Sequence, residues 1–340
     1  MDTLTVAKTS RNSAVQRAGR AGRESAGKCF RLYTEKEYEN FEEFNLPEIL
    51  RINLKNLILN LKAIGIEDLS EFDFIDRPEK ESLAKGYEEL VLFNAISRQD
   101  LKLTEIGKNM SILPVEPLYA LILINSLEKE YFTVRDEILS IISVLQTDNI
   151  FYTPSVIKEK VEKIREKFTH QTSDHLTLLN VFKQWSENKE SNKIFAKEHF
   201  LNEKALRKAL DVKKQLRNYL NKISPKNETD EQNLFMEEQL RLIENKNENY
   251  LGKKEELIIK CLLTGYFSNI AKYSSDNYFS TIKDKHLCKI HPTSILIKNP
   301  KLGKYFEYVF YNEVIVTNKQ YLKSCTLVRE ELIKKYLNKY

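Results

Sequence analysis

Cysteine is scarce in this chain, and its four copies, Cys29, Cys261, Cys288 and Cys325, are scattered with no CxxC pair. That spacing argues against a structural zinc site and a disulfide framework, and for free thiols in a reducing compartment. Histidine is sparse as well. His170 and His175 stand five residues apart, where one helical face prefers three or four, so no metal site is expected. Long apolar runs are missing too. None approaches the roughly 18 residues that span a bilayer, and the opening MDTLTVAKTS lacks the apolar core of a secretory signal. No membrane partner is expected.

An excess of charge of one sign is also missing from most of the chain. The formal net charge is +5. Residues 1–34 hold seven bases (Lys8, Arg11, Arg17, Arg20, Arg23, Lys28, Arg31) against two acids (Asp2, Glu24), which accounts for all of it. Bulk charge therefore gives the body no nucleic-acid signature, and any RNA site there must be a local patch. What is present is material for two or three domains: 340 residues, 41% hydrophobic and 30% charged.

The pattern divides the chain into five parts. Residues 1–34 read as one strand, a glycine-broken loop, a short helix and a second strand from Cys29 to Tyr33, too little to bury a core alone. In residues 35–113, a helix over 45–65 opens at Pro47, closes at Gly65 and carries an apolar stripe of Leu50, Leu54, Leu57, Ile58 and Leu61. A second helix over 79–97 follows Pro78. A short strand over 101–104 comes next, and Thr104 caps a third helix. Together these suggest a winged helix. Residues 114–223 are almost all helical; Asp174 is expected to cap a helix whose Leu178, Leu179, Phe182 and Trp185 share one face, as core packing and not as a base-stacking surface. Residues 224–252 are polar and read as a linker. In residues 253–340, a helix over 254–273 precedes short aromatic and β-branched runs over 278–282, 287–290, 294–297 and 305–316. Their spacing fits a small antiparallel barrel, and a helix from about Val328 closes the chain. The fold class expected is mainly α with a C-terminal β-barrel.

The octamer QRAGRAGR places Arg17, Arg20 and Arg23 at three-residue spacing, with Gly19 and Gly22 between them. Three guanidiniums this close repel unless an anion sits among them, and their planar donor forks suit phosphate oxygens. With the KCFRLYT that follows, the octamer resembles the final signature motif of the DEAH-box ATP-dependent RNA helicases. Eight further blocks resemble that family in the same order: PEILRINLKNLILNLKAIGI, FDFIDRP, LTEIGKNMSILPVEPLYALIL, NIFYTP, FTHQTSDHLTLLNVFKQW, HFLNEKALRKALDVKKQL, IHPTSIL and YNEVIVTNKQYL. The subgroup most similar is the spliceosome-associated one.

The resemblance implies the end of a second RecA-like α/β domain (1–34), a winged helix, a helical ratchet domain and an OB-fold. It implies that Arg20 and Arg23 act as arginine fingers on the γ-phosphate of ATP and that Gln16 faces that phosphate and the attacking water. It implies RNA contact near IHPTSIL, with His291, Ser294, Lys298, Lys301 and Lys304 as candidates, although solvated loop lysines would look the same. ATP and Mg2+ are the cofactors of the full-length family members. RNA, spliceosomal proteins and G-patch-type activators are the implied partners, and the nucleus is the implied place.

One departure is large. The nearest string to a P-loop, Gly22 to Cys29, ends in a thiol where the magnesium-binding hydroxyl belongs, and no DEAH box is present. The expectation is that this chain alone binds no nucleotide stably, hydrolyses none and unwinds nothing, its nucleotide-binding RecA-like domains being absent. It is then either the C-terminal part of a helicase or a stand-alone RNA-binding or adaptor module.

Overall fold

The computed structural model describes residues 8–188, 191–224, 250–298 and 307–337. Helix α1 (Arg11–Gly19) starts on Ser10, whose hydroxyl accepts from the Ser13 amide, and runs into a 3-10 turn over Arg20–Gly22. The expected strand from Cys29 to Tyr33 does not form. Its backbone finds no neighbouring strand among the described residues, and Phe30 and Leu32 stand 85% and 100% exposed. A strand left without a partner has unpaired amides and gains nothing from being extended. The segment instead leads to the short helix α2 (Glu35–Glu39), opened by a capping box between Thr34 and Glu37.

The helix expected over 45–65 is broken. Pro47 opens only a 3-10 turn, Glu48–Leu50, and α3 runs from Lys55 to Ala63. The Asn53 side chain accepts the Lys55 amide at 2.9 Å, which makes a new helix start. Leu54 and Ile58 are fully buried, while Leu50 stays exposed. Gly65 ends this helix at φ 98°, a left-handed position that suits glycine. Helix α4 (Lys80–Leu92) stops earlier than expected, at the left-handed Asn94. The strand expected over 101–104 shrinks to a single bridge, Ile96 to Leu103, because Leu101 is itself left-handed. Thr104 does cap α5 (Glu105–Ile112), accepting from Gly107 at 3.0 Å.

Six helices follow: α6 (Pro117–Asn125), α7 (Arg135–Leu145), α8 (Lys158–Arg165), α9 (Asp174–Glu187), α10 (Asn192–Glu198) and α11 (Glu203–Ile223). Phe168, Val181, Phe182, Trp185 and Leu206 form an apolar core among them. Trp185 is core, as expected, and its indole N–H donates to the Asn192 carbonyl at 3.1 Å. The cap of α9 differs from expectation. Ser173 takes that place, accepting from Leu176 at 3.0 Å, and Asp174 becomes the first helical residue with its carboxylate free for other donors.

Of the expected linker, residues 225–249 lie outside the described residues, and its end, 250–252, is helical. Helix α12 runs over Tyr250–Tyr266, and the strand β1 (Ile270–Tyr273) replaces the expected last turns of this helix. Asn269 makes the change of direction, since its side chain donates to Asn312 O at 3.2 Å. Strands β2 (Tyr278–Thr281), β3 (Leu287–Ile290), β4 (Tyr308–Val316) and β5 (Gln320–Val328) close a barrel in the order β1-β2-β3-β5-β4. The run over 294–297 is not a strand but a 3-10 turn, Ile295–Lys298, and β5 was not anticipated at all. Helix α13 (Glu330–Leu337) ends the described chain. One core runs from α3 through α6 and α7 to α12, β1, β4 and α13, so helices and barrel pack as one body.

Candidate nucleic-acid interface

The first candidate region is the arginine segment. Helix α1 is pinned by main-chain atoms of the loop after α2. Arg11 N donates to Glu42 O at 2.9 Å and Asn12 N to Glu43 O at 3.1 Å. The Arg11 guanidinium reaches Phe41 O and Glu39 O at 3.0 and 2.7 Å. Gln16, Arg17, Arg20 and Arg23 all lie beyond this anchor, on the last turns of α1 and the 3-10 turn, and all are exposed. None of their side chains has a hydrogen bond or ion pair among the described residues. The space beside Gly19 and Gly22 is open, whereas a Cβ on Gly27 would meet Ala21 O at 1.9 Å. Gly27 thus lets the returning chain lie against the 3-10 turn. The arrangement is a rigid stem bearing three unpaired guanidiniums, chemistry that suits phosphate oxygens. Among the described residues no group of three or more His, Cys, Asp or Glu is placed to hold a metal ion.

The second region is the loop after β3, and what seats it was not legible beforehand. Asp174, at the start of α9, accepts from Ser294 Oγ at 2.6 Å, from Ile295 N at 3.0 Å and from Cys325 N at 2.7 Å. Burial raises its carboxyl above the ordinary 3.8, against the pull of those three donors. Beside it, Ser173 Oγ and Thr326 Oγ1 lie 2.6 Å apart, and His175 Nδ1 lies 2.8 Å from Thr326 Oγ1. The His175 ring is fully buried between Tyr266 and Phe310, with centroids 5.3 and 5.2 Å away, and its Nε2 has no partner. Burial lowers its pKa to about 3, so the ring is neutral at ordinary pH. The signal that could have revealed this seat is the run Ser173-Asp174-His175, three polar residues opening a helix whose next turns are apolar.

The candidates within this loop separate. His291 is half-buried, with Nδ1 2.7 Å from Thr293 Oγ1 and its amide donating to Leu322 O at 2.8 Å. Burial lowers its pKa, Lys323 adds to the shift and Glu313 opposes it. Ser294 is buried and spends its one hydroxyl proton on Asp174, so it holds the loop inward instead of reaching for a ligand. Lys298 closes the 3-10 turn, but its side chain, with all of Lys301 and Lys304, lies outside the described residues. The arginine segment and this loop are not brought into contact with each other by any hydrogen bond or ion pair described.

Residues 258–340 match the oligonucleotide/oligosaccharide-binding (OB)-fold model, and residues 116–178 match the ratchet-like helicase associated domain (HA2). The closed five-strand barrel and the helices before it therefore form a helicase-associated pair, a ratchet-like domain joined to an OB-fold. The chain is 36% identical over 332 residues to the pre-mRNA-splicing factor ATP-dependent RNA helicase prp22 of Schizosaccharomyces pombe, covering 96% of this chain and 26% of that protein. It is 34% identical over 331 residues to the human probable ATP-dependent RNA helicase DHX35, covering 96% of this chain and 42% of that one. It thus spans about a quarter to two-fifths of the length of these curated relatives. Along nearly its whole length the chain is a homologue of the DEAH-box RNA helicases.

Proposed function

We propose that this protein acts as part of an ATP-dependent RNA helicase that translocates on and remodels RNA, in pre-mRNA splicing and hence in the nucleus. Residues 1–34 belong in this reading to a RecA-like motor domain, 35–113 to a winged helix, 114–223 to the ratchet, 224–252 to a linker and 253–340 to the OB-fold. Arg20 and Arg23 stabilise charge on the γ-phosphate of ATP held by the motor domains, and Gln16 orients water there. His291, Lys298, Lys301 and Lys304 meet the RNA backbone, and Ser294 fixes their loop. Spliceosomal or G-patch-type proteins are the partners this reading brings with it. The observation that carries it is the arginine segment: exposed guanidiniums on a pinned helix, with no acid among the described residues to neutralise them.

The test has two arms. RNA-stimulated ATP turnover is measured on the protein isolated from its native source, together with its mass on a denaturing gel. A mass well above 40.0 kDa with turnover that falls roughly a thousandfold in Arg20→Ala or Arg23→Ala supports the reading. The 340-residue chain alone should show no turnover. A native mass of 40.0 kDa with RNA binding and no turnover replaces the reading by a stand-alone RNA-binding or adaptor module.

A further inference from the structure

In the sequence Arg11 is one more base of a basic segment, and the structure separates it from the others. The guanidiniums of Arg17, Arg20 and Arg23 are exposed, with no partner among the described residues. The Arg11 guanidinium is spent on two main-chain carbonyls: Nε donates to Phe41 O at 3.0 Å and Nη2 to Glu39 O at 2.7 Å. Glu39 is the last residue of α2, where carbonyls lack helical partners and favour a cation. The first turn of α1 is as fully used. Arg11 N donates to Glu42 O at 2.9 Å, Asn12 N to Glu43 O at 3.1 Å and Ser13 N to the Ser10 hydroxyl at 3.2 Å. Asn45 adds a further tie, its Nδ2 donating to Ser13 Oγ at 2.8 Å. The chain that leaves the arginine segment returns to the same place. Arg31 lies over the Tyr38 ring at 4.4 Å, and the Tyr33 ring stands 6.3 Å from Tyr38 and 4.9 Å from Phe41. The arginine segment is thus the far end of a loop whose two ends are both anchored on α2 and the residues just after it.

From this geometry we infer that Arg11 is a positioning residue for Arg20 and Arg23: it fixes the base of the helix that aims them. The inference rests on the reading of those two arginines as fingers on the γ-phosphate and adds the residue that holds them in place. Arg11 acts through the helix and not on the nucleotide. Its donors are occupied, and Arg20 lies nine residues further along, about 14 Å at 1.5 Å per residue. Over that length a tilt of about 4° at the base moves the tip by about 1 Å. Misplacement on that order costs catalysis up to about a hundredfold. The other jaw of the clamp, residues 39–45, leads through the 3-10 turn Glu48–Leu50 into α3, whose Leu54 and Ile58 belong to the main core. Through Arg11, then, the aim of both fingers is set from the body formed by the helices and the barrel.

The experiment compares the wild type with Arg11→Ala and Arg11→Lys in two settings. On the 340-residue chain, hydrogen exchange of the α1 amides from Val15 to Gly19 should quicken about tenfold in Arg11→Ala. Exchange in α3 to α13 and the melting temperature should match the wild type. On the protein isolated from its native source, RNA-stimulated ATP turnover should show kcat about tenfold lower in Arg11→Ala, with the KM for ATP within about twofold. An aiming defect is felt in the transition state and not in nucleotide binding. Arg11→Lys should recover part of both losses, since an ammonium lacks the fork that spans two carbonyls. A lower melting temperature with kcat of the folded protein unchanged overturns the inference, because it reduces Arg11 to stability alone. Equal exchange of α1 in the wild type and Arg11→Ala also overturns it, as does a raised KM with kcat kept. Each of these leaves the helicase reading standing where Arg20→Ala and Arg23→Ala lose turnover. If those two variants turn over as the wild type does, or the native protein hydrolyses no ATP, the reading falls and the inference falls with it.

Discussion

Lowering the pH should destabilise this protein through one buried ring. His175 titrates at 6.5 in its ordinary state and at about 3 where it is buried between Tyr266 and Phe310. Between those two values the unfolded chain binds a proton that the folded chain refuses. Folding stability is therefore full above about pH 7 and falls as pH drops toward 3. At about pH 5 the unfolded ring is almost wholly protonated and the folded one almost wholly neutral, and the loss relative to pH 8 is about 2 kcal/mol. Asp174, the next residue back, works in the opposite sense. Burial raises its carboxyl, so the folded state holds that proton more readily than the unfolded one, and the effect lies at the acid end, above 3.8. A variant that keeps Asp174 isolates the histidine. Urea unfolding followed by circular dichroism at about pH 8 and pH 5 should show the wild type losing about 2 kcal/mol more than His175→Gln, which keeps a polar group near Thr326 but does not titrate. The other histidines are common to both proteins and cancel. Equal losses in the two proteins would refute the reasoning, because they would place the acid sensitivity elsewhere.

Two further outcomes follow from packing. Gly265 lies where α12 crosses α6, and a Cβ there would meet Ile122 Cγ1 at 2.5 Å and Leu118 O at 2.6 Å; Gly265→Ala should cost about 1–3 kcal/mol, whereas Gly252→Ala on the same helix, where nothing lies within 4 Å, should be neutral or stabilising in the same thermal melt. Arg165 ties three carbonyls together, those of Tyr152, His199 and Phe200, beside the bridge between Phe151 and Leu201; Arg165→Ala should cost about 2–3 kcal/mol by urea midpoint, and Arg165→Lys should recover only part, since an ammonium cannot reach all three.

Much of the helical part was legible because each helix had one apolar face and a local punctuation mark. Gly65 and Thr104 did what their chemistry predicts. The failures came where hydrogen-bond partners, near or distant, overrode the local signal or where a strand's partner was missing among the described residues. Asn53 captured an amide and moved a helix start. Asp174 captured the Ile295 amide and turned an apparent strand into a 3-10 turn. Strand β5 hides in a run whose alternation is blurred, since Cys325, Thr326, Leu327 and Val328 are all buried, some by the barrel and some by α9 and its neighbours. The Cys29–Tyr33 run reads as a strand by composition and has no partner strand among the described residues.

The sequence by itself determined the arginine segment, the order of the blocks and the apolar faces, because each of these is written within a few residues. It also placed the charge, all of the net +5 falling in residues 1–34. Only the tertiary structure decided which polar groups are spent and which are free. Ser294 turns inward because Asp174, 120 residues earlier, waits for its proton. Tyr278, Lys289 and Tyr321 become a row because strand register brings together residues that the chain keeps apart. Hydrogen bonds and register pair groups by position in space, and a pattern of neighbours along the chain does not carry that information.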